Sequence, residues 1–203
     1  MTGKCQLCGR QASKVLMARH VAACAAAHDA SGPQHFIVQL RVDAAGDPRY
    51  WLYVEARSDA SLQQLDALLR RVWLECCGHM SAFRVGQHQP AMRSRIGVAL
   101  ERKGLKFAYD YDFGSTTTLS GQVLGAREGS LGRLATRLLA RNDPPQWSCE
   151  LCAKPATVVC PFCIGSGPWM FCEVHARRHS CAEEEAFLPV VNSPRMGVCA
   201  YTG

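Results

Sequence analysis

The chain has 203 residues, 48% of them apolar and 20% charged, and a formal charge of +6. That length suits one central domain with small modules beside it, and the composition is that of an ordinary soluble globular protein. No run approaches the 18 or so apolar residues of a membrane span, and MTGKCQLCGR is no apolar leader, so the expectation is a cytoplasmic protein with no membrane partner.

Twelve cysteines dominate the chemistry. Without a leader, Cys-x-x-Cys pairs with nearby histidines point to metal rather than to disulfides. A two-residue gap lets both thiolates reach one zinc ion at about 2.3 Å. The first such set is Cys5, Cys8, His20 and Cys24. A knuckle, a short spacer and two ligands four apart on one helical face make a zinc-finger pattern over 1–30. Gly9 follows the knuckle, where positive φ is tolerated. Ser13 is the expected N-cap, and Val15, Leu16 and Met17 are candidates for a miniature core. His28, four residues beyond Cys24, is an alternative fourth ligand. Lys4, Arg10, Lys14 and Arg19 surround the finger, either as phosphate contacts or as a solvated face.

A small-residue linker ends at Gly32-Pro33. HFIVQLRVD (35–43) and RYWLYVEAR (49–57) alternate as strands around a turn and read as a hairpin. Ser61 opens a helix, with Gln64 completing a capping box. Leu62, Leu65, Leu69, Val72, Trp73 and Cys76 recur at helical spacing, and Gly78 is the expected stop. SAFRV (81–85) is a third strand, Arg93 to Lys103 a short helix, and 105–113 with 116–125 a second hairpin. RLATRLLARN (133–142) fits helix or strand, and Asp143-Pro144-Pro145 closes the domain. Hairpin, long helix and further strands give an α+β, β-grasp-like central domain over 35–145.

The strands before the helix, Ser61-Leu62 with Leu65, the run Tyr109-Asp110-Tyr111-Asp112-Phe113-Gly114 and Pro144-Pro145 carry a resemblance. Over about 35–145 the chain resembles the plasmid pRiA4b open-reading-frame-three-like domains. The flanking cysteine modules, Trp73 to His79 and the tail Asn192 to Cys199 look like a zinc-carrying branch of that family. The resemblance implies the fold and a setting on plasmids or mobile elements; it implies no activity. Asp110 and Asp112 lie two apart on a strand, as a same-face carboxylate pair or as a solvated strand end. Cys76, Cys77 and His79 read as packing at a helix end, with metal or redox chemistry as the alternative.

The C-terminal region, 146–203, holds Cys149, Cys152, Cys160, Cys163, Cys172, His175, His179 and Cys181. Eight ligands suit two tetrahedral zinc ions. The interleaved order is favoured: Cys149, Cys152, Cys172 and His175 on one ion, and Cys160, Cys163, His179 and Cys181 on the other. This spacing resembles cross-braced B-box-type modules, which the likeness implies serve protein contacts. So small a segment depends on metal for its fold, and four protein ligands per ion leave no place for a catalytic water. Glu183-Glu184-Glu185 is a solvated run, and Phe187 to Val191 should pack back. Cys199 is left over, either buried or a substitute for Cys181 or His179.

Nine thiolates and three dications would bring the charge of +6 down to about +3, which weakens the argument from bulk basicity to DNA. The expectation is a zinc-binding, non-enzymatic adaptor with a protein partner. A DNA-binding accessory of mobile elements is the second reading. An enzyme working near Asp110, Asp112 and His79 is the third, without a nucleophile elbow or phosphate loop to support it.

Overall fold

The computed structural model of the chain describes residues 1–181 and 187–203, so the acidic run Glu183 to Glu185 lies outside the described residues. The chain divides into two compact units: Met1–Arg71 with Met80–Asp143, and Val72–His79 with Pro144–Gly203. Mixed helices and strands are present as expected, mostly as one large antiparallel sheet; that arrangement does not establish a β-grasp.

The first unit holds β1 (Thr2–Cys5), β2 (Gln11–Ser13), α1 (Lys14–Ala27), β3 (His35–Ala44), β4 (Trp51–Arg57) and α2 (Leu62–Leu69). It continues with β5 (Ser81–Arg84), α3 (Ile96–Ala99), β6 (Lys106–Tyr111), β7 (Thr117–Gly129) and β8 (Thr136–Asn142). The eight strands run in the order β2-β1-β8-β4-β3-β7-β6-β5. The ambiguous segment after residue 133 is therefore a strand, paired with β4 on one side and β1 on the other. The expected helix over 93–103 shrinks to Ile96–Ala99.

The finger is not a separate bead. Its first strand pairs with β8, and α1 packs on the sheet through Met17, Val21 and Ala25 against Trp51, Tyr53 and Leu139. Of the three residues expected to form its core, only Met17 is buried; Val15 and Leu16 point to solvent. Burying one such side chain is worth about 1.5–3 kcal/mol, and here the sheet supplies the partner surface. Tyr53 donates its hydroxyl to the Lys14 carbonyl at 2.8 Å, tying the helix start to β4.

The capping box forms as expected: Gln64 N–H donates to Ser61 Oγ and Ser61 N–H donates to Gln64 Oε1. Leu62, Leu65, Leu68 and Leu69 are buried, so α2 carries an apolar face into the core. Beyond Leu69 the helix loosens into a π-helical turn, Arg70–Leu74, and the expected α-spacing ends there. Asp66 organises the polar interior, accepting from Tyr109 Oη and Ser81 Oγ at 2.6 Å and from Arg70 at 2.9 Å.

The second unit holds β9 (Val158–Val159), β10 (Met170–Phe171), α4 (Glu173–Ala176) and β11 (Leu188–Pro189). Its sheet runs β10-β9-β11. Phe187, Leu188, Val190 and Val191 do pack back, against the small apolar clusters of this unit. No helix among the described residues is long and apolar enough to cross a membrane.

Candidate metal centres

Four groups of three cysteines and one histidine converge among the described residues, each with its ligand atoms within 4.8 Å of one another. They take up all twelve cysteines of the chain, and no disulfide is formed.

The first group is Cys5, Cys8, His20 and Cys24. The knuckle turn is closed by Gly9 N–H donating to the Cys5 carbonyl at 3.0 Å, with Gly9 at φ 76°. Ser13 occupies the N-cap position without a side-chain capping bond, so sheet contacts rather than capping fix the helix start. Cys5 and Cys24 sulfurs lie 3.8 Å apart, and Cys8 Sγ is 3.2 Å from His20 Nε2. His28 stands beside the group instead of within it; its Nδ1 is 2.8 Å from the Cys24 carbonyl.

The second and third groups interleave. Cys149, Cys152, Cys172 and His175 form one, and Cys160, Cys163, His179 and Cys181 the other. Their order follows from the small sheet: β9 leads into Cys160, and β10 leads into Cys172 and the α4 turn that carries His175. Cys149 Sγ lies 3.3 Å from His175 Nδ1, and Cys152 and Cys172 sulfurs 3.9 Å apart. Cys163 Sγ lies 3.3 Å from His179 Nε2 and 3.5 Å from Cys181 Sγ. Phe171, fully buried, packs its ring 4.5 Å from that of His179, and Phe187 closes the other side at 5.9 Å. Aromatic packing thus fixes the imidazole plane that a ligand needs.

The fourth group is Cys76, Cys77, His79 and Cys199: three residues that read as helix-end packing with metal or redox chemistry as the alternative, joined by the cysteine left over in the tail. Cys199 serves neither the Cys160 set nor in place of His179. Cys77 and Cys199 sulfurs are 3.5 Å apart, and Cys199 Sγ is 3.6 Å from His79 Nε2. No local signal could have joined these residues, because 122 positions separate Cys77 from Cys199.

The spacings test the fit to a metal. A disulfide holds its sulfurs at about 2.05 Å. Around a tetrahedral zinc, with bonds of about 2.3 Å to sulfur and 2.0–2.1 Å to nitrogen, adjacent donors sit roughly 3.5–3.8 Å apart. The separations given above, from 3.2 to 3.9 Å, bracket that edge length, and every pair of donors in a group lies within 4.8 Å. Three thiols and one imidazole are also the soft, borderline donor set that suits zinc.

The electrostatics point the same way. Burial pushes the Cys149 thiol up, but the backbone N–H groups of Cys172 and Leu151, with His175, outweigh it and bring it to about 6. The Arg10 N–H holds Cys8 below the ordinary thiol range. Cys24, by contrast, is driven to about 12, chiefly by burial, and Cys163 to about 12, chiefly by Cys181. A cation among the sulfurs would offset what raises Cys24 and Cys163 by favouring their thiolates.

The acidic pair has other employment. Asp110 is bonded to Arg84 at 2.8 Å and to Thr118 at 2.7 Å. The strand ends at Tyr111, and Asp112 turns away at φ 64° to accept the Gly114 N–H. They therefore do not form the same-face pair that strand alternation suggested.

Fold and sites together define a chain with several cysteine–histidine clusters compatible with metal binding. No family model and no curated protein matches it. Among solved structures it is similar to a protein of unknown function from Methanosarcina mazei Go1, at 13% identity and a TM-score of 0.45, covering 52% of this chain and 68% of that one. At that level the likeness carries no argument about function.

Proposed function

We propose that this chain is a zinc-binding, non-enzymatic adaptor whose ions are structural and whose metal-held turns present apolar side chains to a protein partner. The observation that carries it lies at the knuckle tips. Leu151, between Cys149 and Cys152, is 52% exposed, and Phe162, between Cys160 and Cys163, is 72% exposed. Ile164 and Val174 in the same unit, and Val15 and Leu16 on α1, are exposed as well. Large apolar groups held out on rigid, metal-braced turns suit protein contact, because they lose little conformational freedom on binding. Each set offers four protein donors, which leaves no open position for a catalytic water. A reducing, cytoplasmic setting would keep the twelve thiols available for metal.

The DNA-binding alternative has less support. Of the finger's basic residues, Lys14 is paired with Asp43 at 2.6 Å, leaving Lys4, Arg10 and Arg19 on the exposed surface. Placing the central sheet with the plasmid pRiA4b open-reading-frame-three-like, β-grasp-like domains also remains our proposal, resting on the YDYDFG run. Its Tyr109 is buried on Asp66, while Asp110 is paired with Arg84, so the motif has a structural use.

A capture experiment from native lysate tests the proposal, comparing the wild-type chain with a Leu151→Ser, Phe162→Ser double variant, each with and without nuclease. The expected result is a partner retained after nuclease and lost at least tenfold with the double variant, whose metal content is unchanged. Micromolar, salt-sensitive binding to a labelled duplex, with capture abolished by nuclease, would favour the DNA reading instead.

A further inference from the structure

We propose that Cys76, Cys77, His79 and Cys199 form a fourth structural zinc site, one that fastens the C-terminal tail to the segment following α2. The four donors belong to the same compact unit, with the first three on residues 72–79 and the last on the tail.

Three observations carry it. The first is the donor set itself. The other three groups use nine cysteines, and the remaining three meet here with one histidine, repeating the same composition. Sulfur–sulfur and sulfur–nitrogen separations of 3.5 and 3.6 Å match the edge of a zinc tetrahedron and exclude a bonded disulfide.

The second is charge. Three thiolates, one neutral imidazole and a dication sum to a single negative charge. Arg195 is fully buried beside them and donates Nε to Cys76 Sγ at 3.4 Å. A negatively charged zinc–thiolate centre is complementary in charge to the guanidinium that donates to one of its sulfurs. The third is the backbone. Cys199 adopts φ 56°, a left-handed conformation uncommon for a residue with a side chain, and Gly78 adopts φ 72° between the paired cysteines and His79. Ser193 completes the docking by donating its hydroxyl to the Trp73 carbonyl and accepting the Arg195 N–H at 2.9 Å. Tail and segment are thus shaped around the four donors, and metal ligation accounts for the strained position of Cys199.

This site rests on the same zinc chemistry as the three-site reading but is tested apart from it. Cys77 and Cys199 are exposed, so without a metal nothing shields their sulfurs from an alkylating reagent. The protein as purified, kept with a non-thiol reductant, is treated with an alkylating reagent, and each cysteine is followed by peptide mass spectrometry. The expected result is modification of Cys77 and Cys199 at least tenfold slower than after addition of a strong chelator. In parallel, Cys199→Ala should lower zinc by one per chain while the nine cysteines of the other sets stay protected. Alkylation of Cys77 and Cys199 at free-thiol rates without chelator overturns the fourth site. So does an unchanged zinc content in Cys199→Ala. The behaviour of the nine other cysteines reads the three-site proposal separately.

Discussion

Gly3 is the smallest determinant of how the finger meets the sheet. A Cβ there would stand 2.3 Å from the Arg141 carbonyl oxygen and 2.4 Å from the Trp51 ring, both fixed by the sheet. Gly3→Ala must therefore push β1 off β8, since neither neighbour is a flexible side-chain end. We expect a loss of about 1–3 kcal/mol, typical of overpacking, read as a lower denaturant midpoint with an unchanged slope. At this scale the sequence was readable where chemistry is local. Cys5 with Cys8, Cys149 with Cys152 and Cys160 with Cys163 declare themselves by spacing, and His20, His175 and His179 by their place after the knuckles. Cys76, Cys77 and His79 could not, because their fourth donor is brought in by the tertiary fold. Val15 and Leu16 misled for a related reason: the core that α1 needed was the sheet, so only Met17 had to face inward.

Between elements, a buried ion network clasps the end of α1 to the sheet. Glu55 on β4 is fully buried and accepts from Arg127 at 2.7 Å and Arg137 at 2.6 Å. Arg127 also holds Asp29 at 2.7 Å, and Arg137 donates to the carbonyls of His28 at 2.7 Å and Ala25 at 3.3 Å. Those are carbonyls at the C-terminal end of α1, where a cation is favoured. Glu55→Gln leaves Asp29 as the one carboxylate facing both guanidiniums, and we expect a cost of about 3 kcal/mol in the unfolding of the first unit. Burial alone would raise the Glu55 carboxyl, but Arg127, Arg137 and Gln39 hold it below the ordinary range; Arg127 does the same for Asp29. Because both carboxyls are depressed on folding, their stabilisation is present above the ordinary carboxylate pKa of about 4. It is lost as pH falls through the folded values. Urea titrations at descending pH should therefore show the wild type losing more stability below pH ~4 than Glu55→Gln does; equal losses would contradict the assignment. None of this network was legible beforehand. The strand Thr136–Asn142 read equally well as helix, and Thr2–Cys5 is too short to alternate visibly, so the edge they build had no signature. The hairpin of β3 and β4 and the capped start of α2 were legible, because alternation and capping are written in consecutive residues.

For the whole molecule, the division into two units predicts unequal dependence on metal. The first unit has an eight-stranded sheet and buries Trp51, Tyr53, Phe83 and Tyr109. Among its described residues the second has small clusters, one of them built around its cysteines, so on our proposal metal-binding energy on the order of 10 kcal/mol per site would supply most of its fold. Cys160→Ser should leave the sheet's amides protected in hydrogen exchange while those of 146–181 exchange freely, and limited proteolysis should begin after about residue 145. Simultaneous melting of both would contradict that division of labour. Whether the cysteines hold zinc in closed sites of identical composition is decided by zinc K-edge absorption on protein whose metal content has been counted. Each of the four sets contributes three sulfurs and one imidazole, so the average shell does not depend on which sites are filled. We predict about three sulfurs at ~2.3 Å and one nitrogen at ~2.0–2.1 Å per zinc, with four zinc per chain. A shell with two or more oxygen or nitrogen donors, or less than one zinc per chain with the thiols reduced, would contradict it.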